Sequence, residues 1–271
     1  MNQLEIFELY SPELDRTKTI RVFLPLDYDA NKMKTYDVIY MHDAQNLFDP
    51  KTSSYGHHWK VPETLNALQI SNQIKGYIVV GIDCNLEDQS RKRLDEYSPW
   101  VNSNLSQFFG EETSAGGEGF HYVEFIVKTV KPYIDENYRT NAYKENTIIA
   151  GSSMGAVISL VAGFLYPNIF TKIGAFSTAA WFAKEELFQF LKDHFEQTSS
   201  KIYLDIGTTE GSNDDTSGTN VYVTDSIELN ELFISLGQSK EDLKLVIEEH
   251  AEHNEIAWAN RFPTFILWMA N

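Results

Sequence analysis

Short runs of β-branched and aromatic residues alternate along the chain with stretches whose apolar positions recur every three or four residues. The runs at 4–9, 20–24, 38–42, 77–82, 147–150, 172–176, 202–206 and 244–248 read as strands. The middle ones are continuously apolar (Ile78, Val79 and Val80; Ile148 and Ile149), as expected of strands covered on both faces of a parallel sheet. Between them, residues 120–138 place Val123, Ile126, Val127, Val130 and Ile134 on one helical face. Residues 154–166, 225–236 and 256–270 read as further helices. Two strands followed by strand–helix alternation predict an α/β fold: a mostly parallel central sheet of about eight strands, helices on both faces, antiparallel strands at one edge.

No linker rich in Ser, Pro or Gly divides the chain, so the pattern predicts a single domain over 1–271. Two irregular stretches, near 85–119 and 177–190, read as loop insertions covering an active site; the first contains Ser98, Pro99, Asn102, Asn104 and SAGGEG at 114–119. The longest apolar run, 148–165, has about the length of a membrane span. Gly151, Ser152, Ser153, Gly155, Ser159 and Gly163 interrupt it, which favours a strand followed by a buried helix.

Composition narrows the partners. With 42% hydrophobic and 13% aromatic residues the chain is too apolar for a disordered one. Its 22 Lys+Arg against 39 Asp+Glu give a net charge of −17, which repels polyphosphate and anionic lipid, so neither nucleic acid nor a membrane is an expected partner. The one cysteine, Cys84, excludes an intramolecular disulfide framework and a Cys-rich zinc module. The start MNQLEIFELY lacks a basic segment followed by an apolar one, which predicts a cytoplasmic protein. His57-His58 with Asp43 and Asp49 lack metal-ligand spacing, and neither a metal nor another cofactor is expected. Oligomeric state is not readable from the sequence.

The strongest chemical signal is Gly151-Ser152-Ser153-Met154-Gly155, a G-x-S-x-G motif between a strand-like run and a helix-like one. Small residues two positions either side of Ser153 suit a sharp strand-to-helix turn that presents a serine hydroxyl. Such a hydroxyl needs a base. In this architecture the chain order is Ser, acid, His, with the histidine after the last strand; of seven histidines only His250 and His253 qualify, and His253 lies deeper in that loop. The final helix, with Trp258, follows it. The acid belongs after the strand at 202–206, where Glu210 stands just past the strand end; Asp205, Asp214 and Asp215 are the alternatives. One oxyanion donor is expected from the Met154 N–H at the start of the helix, and a second from the loop 42–46. Trp59, Trp100, Trp181 and Phe182 could line a pocket or fill the core.

At these residues the chain resembles the putative-esterase branch of the α/β-hydrolases, which includes enterochelin, feruloyl and acetyl-xylan esterases, S-formylglutathione hydrolases and mycolyltransferases. The similar blocks run nearly end to end: YMHDAQNLFD at 40–49, VVGID at 79–83, RLDEYSPW at 93–100, YIDENYRT at 133–140, IAGSSMGAVISL at 149–160, LDIGTTEG at 204–211 and AEHNEIAWANRFP at 251–263. The resemblance implies Ser153 as nucleophile, His253 as base and Glu210 as acid, with the backbone of Gln45 as second oxyanion donor, and Arg93, Glu96 and Tyr97 match a block near the active-site rim of such proteins, where they could contact substrate or hold the loop by an ion pair. This chain has Ala44 and Ala156 where such proteins usually have glycine. The implied activity is hydrolysis of a small or carbohydrate-type ester through an acyl-enzyme. Acyl transfer or thioester cleavage on the same residues, and a non-catalytic binding domain, are the alternatives.

Overall fold

A computed structural model of the chain describes residues 3–88, 90–106, 113–195, 200–211 and 220–271. Asp214 and Asp215 lie outside them, as does part of the expected insertion at 85–119.

Among the described residues, eight strands form one sheet: β1 (Leu4–Ser11), β2 (Arg16–Phe23), β3 (Asp37–His42), β4 (Tyr77–Ile82), β5 (Thr147–Ser152), β6 (Lys172–Phe176), β7 (Lys201–Gly207) and β8 (Leu243–Glu248). The spatial order is β1-β2-β4-β3-β5-β6-β7-β8. β1 pairs with β2 and β2 with β4 antiparallel; every other neighbouring pair is parallel. Burial along each strand follows its position. Every residue of β4 and β5 is buried, whereas the edge strand β1 exposes much of its length.

Helices cover both faces. On one, Tyr122, Phe125, Ile126, Ile158 and Leu160 pack against Tyr40, Ile78 and Val80; on the other, Trp59, Leu65, Trp258, Phe262 and Phe265 pack against Ile39, Val79 and Phe176. The helix Met154–Leu165 buries every residue from Met154 to Phe164. That is why its sequence is apolar all round rather than amphipathic. The run 148–165 is therefore strand plus core helix, and no helix among the described residues is long and apolar enough to cross a membrane.

The helix expected over 120–138 forms in three contiguous parts, Gly119–Phe125, a π turn Ile126–Val130 and Lys131–Asn137. Pro132 has no N–H and its ring crowds the carbonyl four residues back, and the widened turn lies just before it. Three helices escaped the sequence pattern or fell within stretches read as loops: Val61–Ile70, Arg91–Tyr97 and Lys184–His194. The stretch 177–190 is thus largely a short 3₁₀ turn, Ala180–Phe182, and a helix rather than a covering loop.

Because β3 and β5 to β8 run parallel, their C-terminal ends share one side of the sheet. The segments after His42, Ser152, Gly207 and Glu248 all leave from that side, where ligands bind in open α/β sheets.

Candidate active site

Ser153 occupies the turn between β5 and the helix Met154–Leu165 with φ 58° and ψ −120°. An L-residue held there stores about 1–3 kcal/mol of strain and persists only where its surroundings over-determine it. They do so here. The Ser153 N–H donates to the Phe176 carbonyl at 2.9 Å, and its own carbonyl accepts from Ala156, Val157 and Ala179. The two glycines of the motif are not equally constrained. A Cβ at Gly151 would lie 2.8 Å from the Gly155 carbonyl group and from the His42 ring, whereas one at Gly155 would meet nothing closer than 3.4 Å.

His42 sits beneath this turn, its Nδ1 2.9 Å from the Tyr122 hydroxyl. Full burial pushes its pKa down to about 3, so the ring is neutral and structural.

His253, in the loop between β8 and the helix Glu255–Met269, places Nδ1 2.9 Å from Glu210 Oε2. Glu210 is wholly buried just past the end of β7. Its other oxygen accepts from the Ser177 hydroxyl at 2.6 Å, the Gly207 N–H at 2.7 Å and Arg261 Nη2 at 3.1 Å. Ser177 in turn accepts from Trp258 Nε1 at 2.8 Å and from Arg261 at 3.0 Å. Asp205 lies inside β7 and faces Arg261 Nε at 3.1 Å instead of the histidine. Burial raises its carboxyl to about 7, against the pull of Arg261. His250 adopts φ 61° at the loop's start, and its N–H donates to Thr208 Oγ1.

Ser153 and His253 line the same cavity of about 450 Å³, together with Gln45, Trp59, Arg93, Glu255 and Trp258. That volume suits a small organic ligand. Met154 is the first residue of its helix and Gln45 stands in the 3₁₀ turn Ala44–Asn46 that follows β3, so neither backbone N–H has an acceptor within its own first turn. The Gln45 side chain is tied to Cys84, donating to Sγ at 3.1 Å and accepting from its N–H at 3.3 Å. The positive φ of this loop falls on Asp43, at 54°, and not on Ala44. Alanine is accommodated because Gly81 of β4 lies under it: a Cβ at Gly81 would meet the Ala44 methyl at 2.6 Å.

Arg93 reaches the cavity but is committed, donating from Nε and Nη2 to the two Asp43 oxygens at 2.7 and 2.8 Å. Its neighbours in sequence hold the same wall from behind. Tyr97 is fully buried, stacks under Arg93 and accepts the Asp43 N–H at 3.0 Å. Glu96 accepts from Lys18 Nζ at 2.6 and 2.8 Å. Tyr97 therefore has no surface on the cavity, contrary to the substrate contact expected of it. Trp181 is also off the lining, packed edge-on to Phe182 and Tyr222. Trp59 does line the cavity, 5.6 Å from Trp258 between ring centres.

Four residues in or beside this site carry no signal in the sequence pattern. Ser177 and Arg261 fix Glu210, and Tyr222 places its ring 4.8 Å from that of His253. Glu255 lines the cavity, and Asn46 Nδ2 donates to its Oε1 at 3.1 Å. Burial raises the Glu255 carboxyl to about 7. Only Glu255 and Arg261 fall in a block that could have drawn attention, AEHNEIAWANRFP. Among the described residues no cluster of His, Cys, Asp and Glu could hold a metal ion.

The sequence model of the Putative esterase family matches residues 11–269. Over 248 residues the chain is 24% identical to the uncharacterized protein YbbA of Bacillus subtilis (strain 168), covering 92% of this chain and 90% of that one. Among solved structures, the BES protein from Bacillus cereus superposes with a TM-score of 0.78 at 17% identity, over 100% of this chain and 97% of that one. A ferulic acid esterase superposes with a TM-score of 0.73 at 16% identity, over 98% and 97% of the two chains. At such identities the two structures establish the fold.

Proposed function

The chain belongs to the Putative esterase family, and from that premise we propose that it is a serine carboxylic-ester hydrolase with Ser153, His253 and Glu210 as nucleophile, base and acid. The reading rests above all on one observation: the His253 ring, tied through Nδ1 to a buried carboxylate, borders the same cavity as a serine held at a strained turn.

In the proposed reaction, His253 Nε2 takes the proton of Ser153 Oγ as that oxygen attacks the ester carbonyl carbon. Glu210 accepts the Nδ1–H, which fixes the tautomer and stabilises the imidazolium that forms. The carbonyl oxygen, now negative, receives the N–H groups of Met154 and Gln45, whose first-turn positions leave them free to donate. Collapse breaks the bond to the alcohol oxygen, which leaves with the proton held on His253. Water then gives a proton to the same ring, attacks the acyl-enzyme and releases the carboxylic acid and Ser153. Small neutral esters are the expected minimal substrates of a cavity of this size. The whole chain acts as one catalytic unit in this reading, with Leu86, Ser90 and Leu94 from the expected insertion forming part of the cavity wall.

The test is hydrolysis of p-nitrophenyl acetate and butyrate by the wild type, Ser153→Ala and His253→Ala. Each substitution is expected to lower kcat by about 10⁴-fold or more. Turnover by Ser153→Ala equal to that of the wild type contradicts the mechanism, and an inactive wild type that binds esters marks a binding domain instead.

A further inference from the structure

The charges around the cavity do not cancel. Arg93 donates from Nε and Nη2 to the two Asp43 oxygens, so that pair is internally neutral. Glu255 borders the same space with a carboxyl whose hydrogen-bond partner is the uncharged Asn46 amide. The other titratable groups on the cavity wall are Tyr55, His57 and His253, the last of which is turned to Glu210. Arg93, the cation that acts on this carboxyl, is offset by its pairing with Asp43, so the buried carboxylate stays costly, and a ligand that brings a further positive charge recovers that cost. Tyr55, Trp59 and Trp258 border the same space. Aromatic rings beside a carboxylate are the surroundings in which proteins hold ammonium groups. The net charge of −17 favours the approach of cations over the whole surface.

We propose that Glu255 makes this site selective for esters that carry an ammonium group, with the cation seated between the Glu255 carboxylate and the aromatic wall. The proposal rests on the reading of Ser153 as an esterase nucleophile and adds to it a class of substrate.

Two pairs of isosteres, each differing by one charge and little else, test it. Acetylcholine against 3,3-dimethylbutyl acetate places the cation on the alcohol side. The p-nitrophenyl esters of 4-(trimethylammonio)butanoate and 5,5-dimethylhexanoate place it on the acyl side. Quaternary ammonium does not titrate, so the ratio reports recognition and not substrate protonation. For the wild type, kcat/KM is expected to favour the cationic member of at least one pair by about tenfold or more. Glu255→Gln, which keeps the side-chain shape and an acceptor for Asn46, is expected to bring that ratio to within about threefold of unity. Glu255→Asp, which keeps the charge, is expected to retain a preference. Equal turnover within both pairs by the wild type, or a preference that survives in Glu255→Gln, overturns the proposal. Hydrolysis of the neutral members that stops in Ser153→Ala leaves the esterase reading standing in that event; hydrolysis that persists in Ser153→Ala defeats the esterase reading itself.

Discussion

His253 and Glu210 are 43 positions apart in the chain, yet Nδ1 of the one lies 2.9 Å from Oε2 of the other. The contact is built from outside both residues. Ser177, Arg261 and the Gly207 N–H hold the far oxygen of Glu210, so the near one has a single orientation left to offer. Charge-assisted hydrogen bonds of this kind are short and set geometry as well as energy.

Glu210→Gln is expected to reduce kcat on p-nitrophenyl butyrate by about 10²- to 10⁴-fold with little change in KM, because an amide in that place favours the wrong histidine tautomer. Asp205→Asn is expected to stay within about tenfold of the wild type, since Asp205 faces Arg261 and not His253. Steady-state kinetics on the two variants decide which carboxyl acts. A larger loss in Asp205→Asn than in Glu210→Gln contradicts the assignment.

At the turn itself, Gly151→Ala is expected to destabilise the fold by about 1–3 kcal/mol through overpacking, because the new methyl meets backbone of Gly155 and the His42 ring at 2.8 Å. Gly155→Ala, with no contact under 3.4 Å, is expected to cost less. Urea denaturation of both variants checks the order, and equal losses would mean that the two glycines serve the turn alike.

How much of this was visible in the sequence depends on whether the signal is local. All eight strands stand where the β-branched runs are, and the serine turn is carried by five consecutive residues. The helix Arg91–Tyr97 was hidden because RKRLDEY is charged, and its burial of Asp95, Glu96 and Tyr97 depends on distant partners such as Lys18 and Asp43. The support of Glu210 was hidden for the same reason: Ser177, Gly207 and Arg261 come from three segments with no common spacing. Aromatic residues were the least legible. Trp59 lines the cavity while Tyr97 and Trp181 do not, and all three read alike as large apolar side chains.

Burial of Glu255 links stability to pH. Its folded value near 7 lies above the ordinary 4.5, so the stability associated with the protonated carboxyl is fully present below 4.5 and lost as pH rises through 7. Glutamine does not ionise. The stability of Glu255→Gln relative to the wild type is therefore expected to climb between about pH 4 and pH 8, by on the order of 2 kcal/mol once water in the open cavity is allowed for, and its Tm relative to the wild type to climb with it. A difference in Tm that is flat with pH, measured by scanning calorimetry, would place the carboxyl in an ordinary solvated setting.

The central claim is that Ser153 is a nucleophile activated by His253, and covalent labelling reads it without reference to any particular ester. A fluorophosphonate incubated with the folded protein is expected to add one phosphonyl group, located by peptide mass spectrometry on Ser153, with labelling lost in Ser153→Ala and strongly slowed in His253→Ala. Absence of label on the folded wild type, or an adduct that forms at an unchanged rate in His253→Ala, would contradict the account.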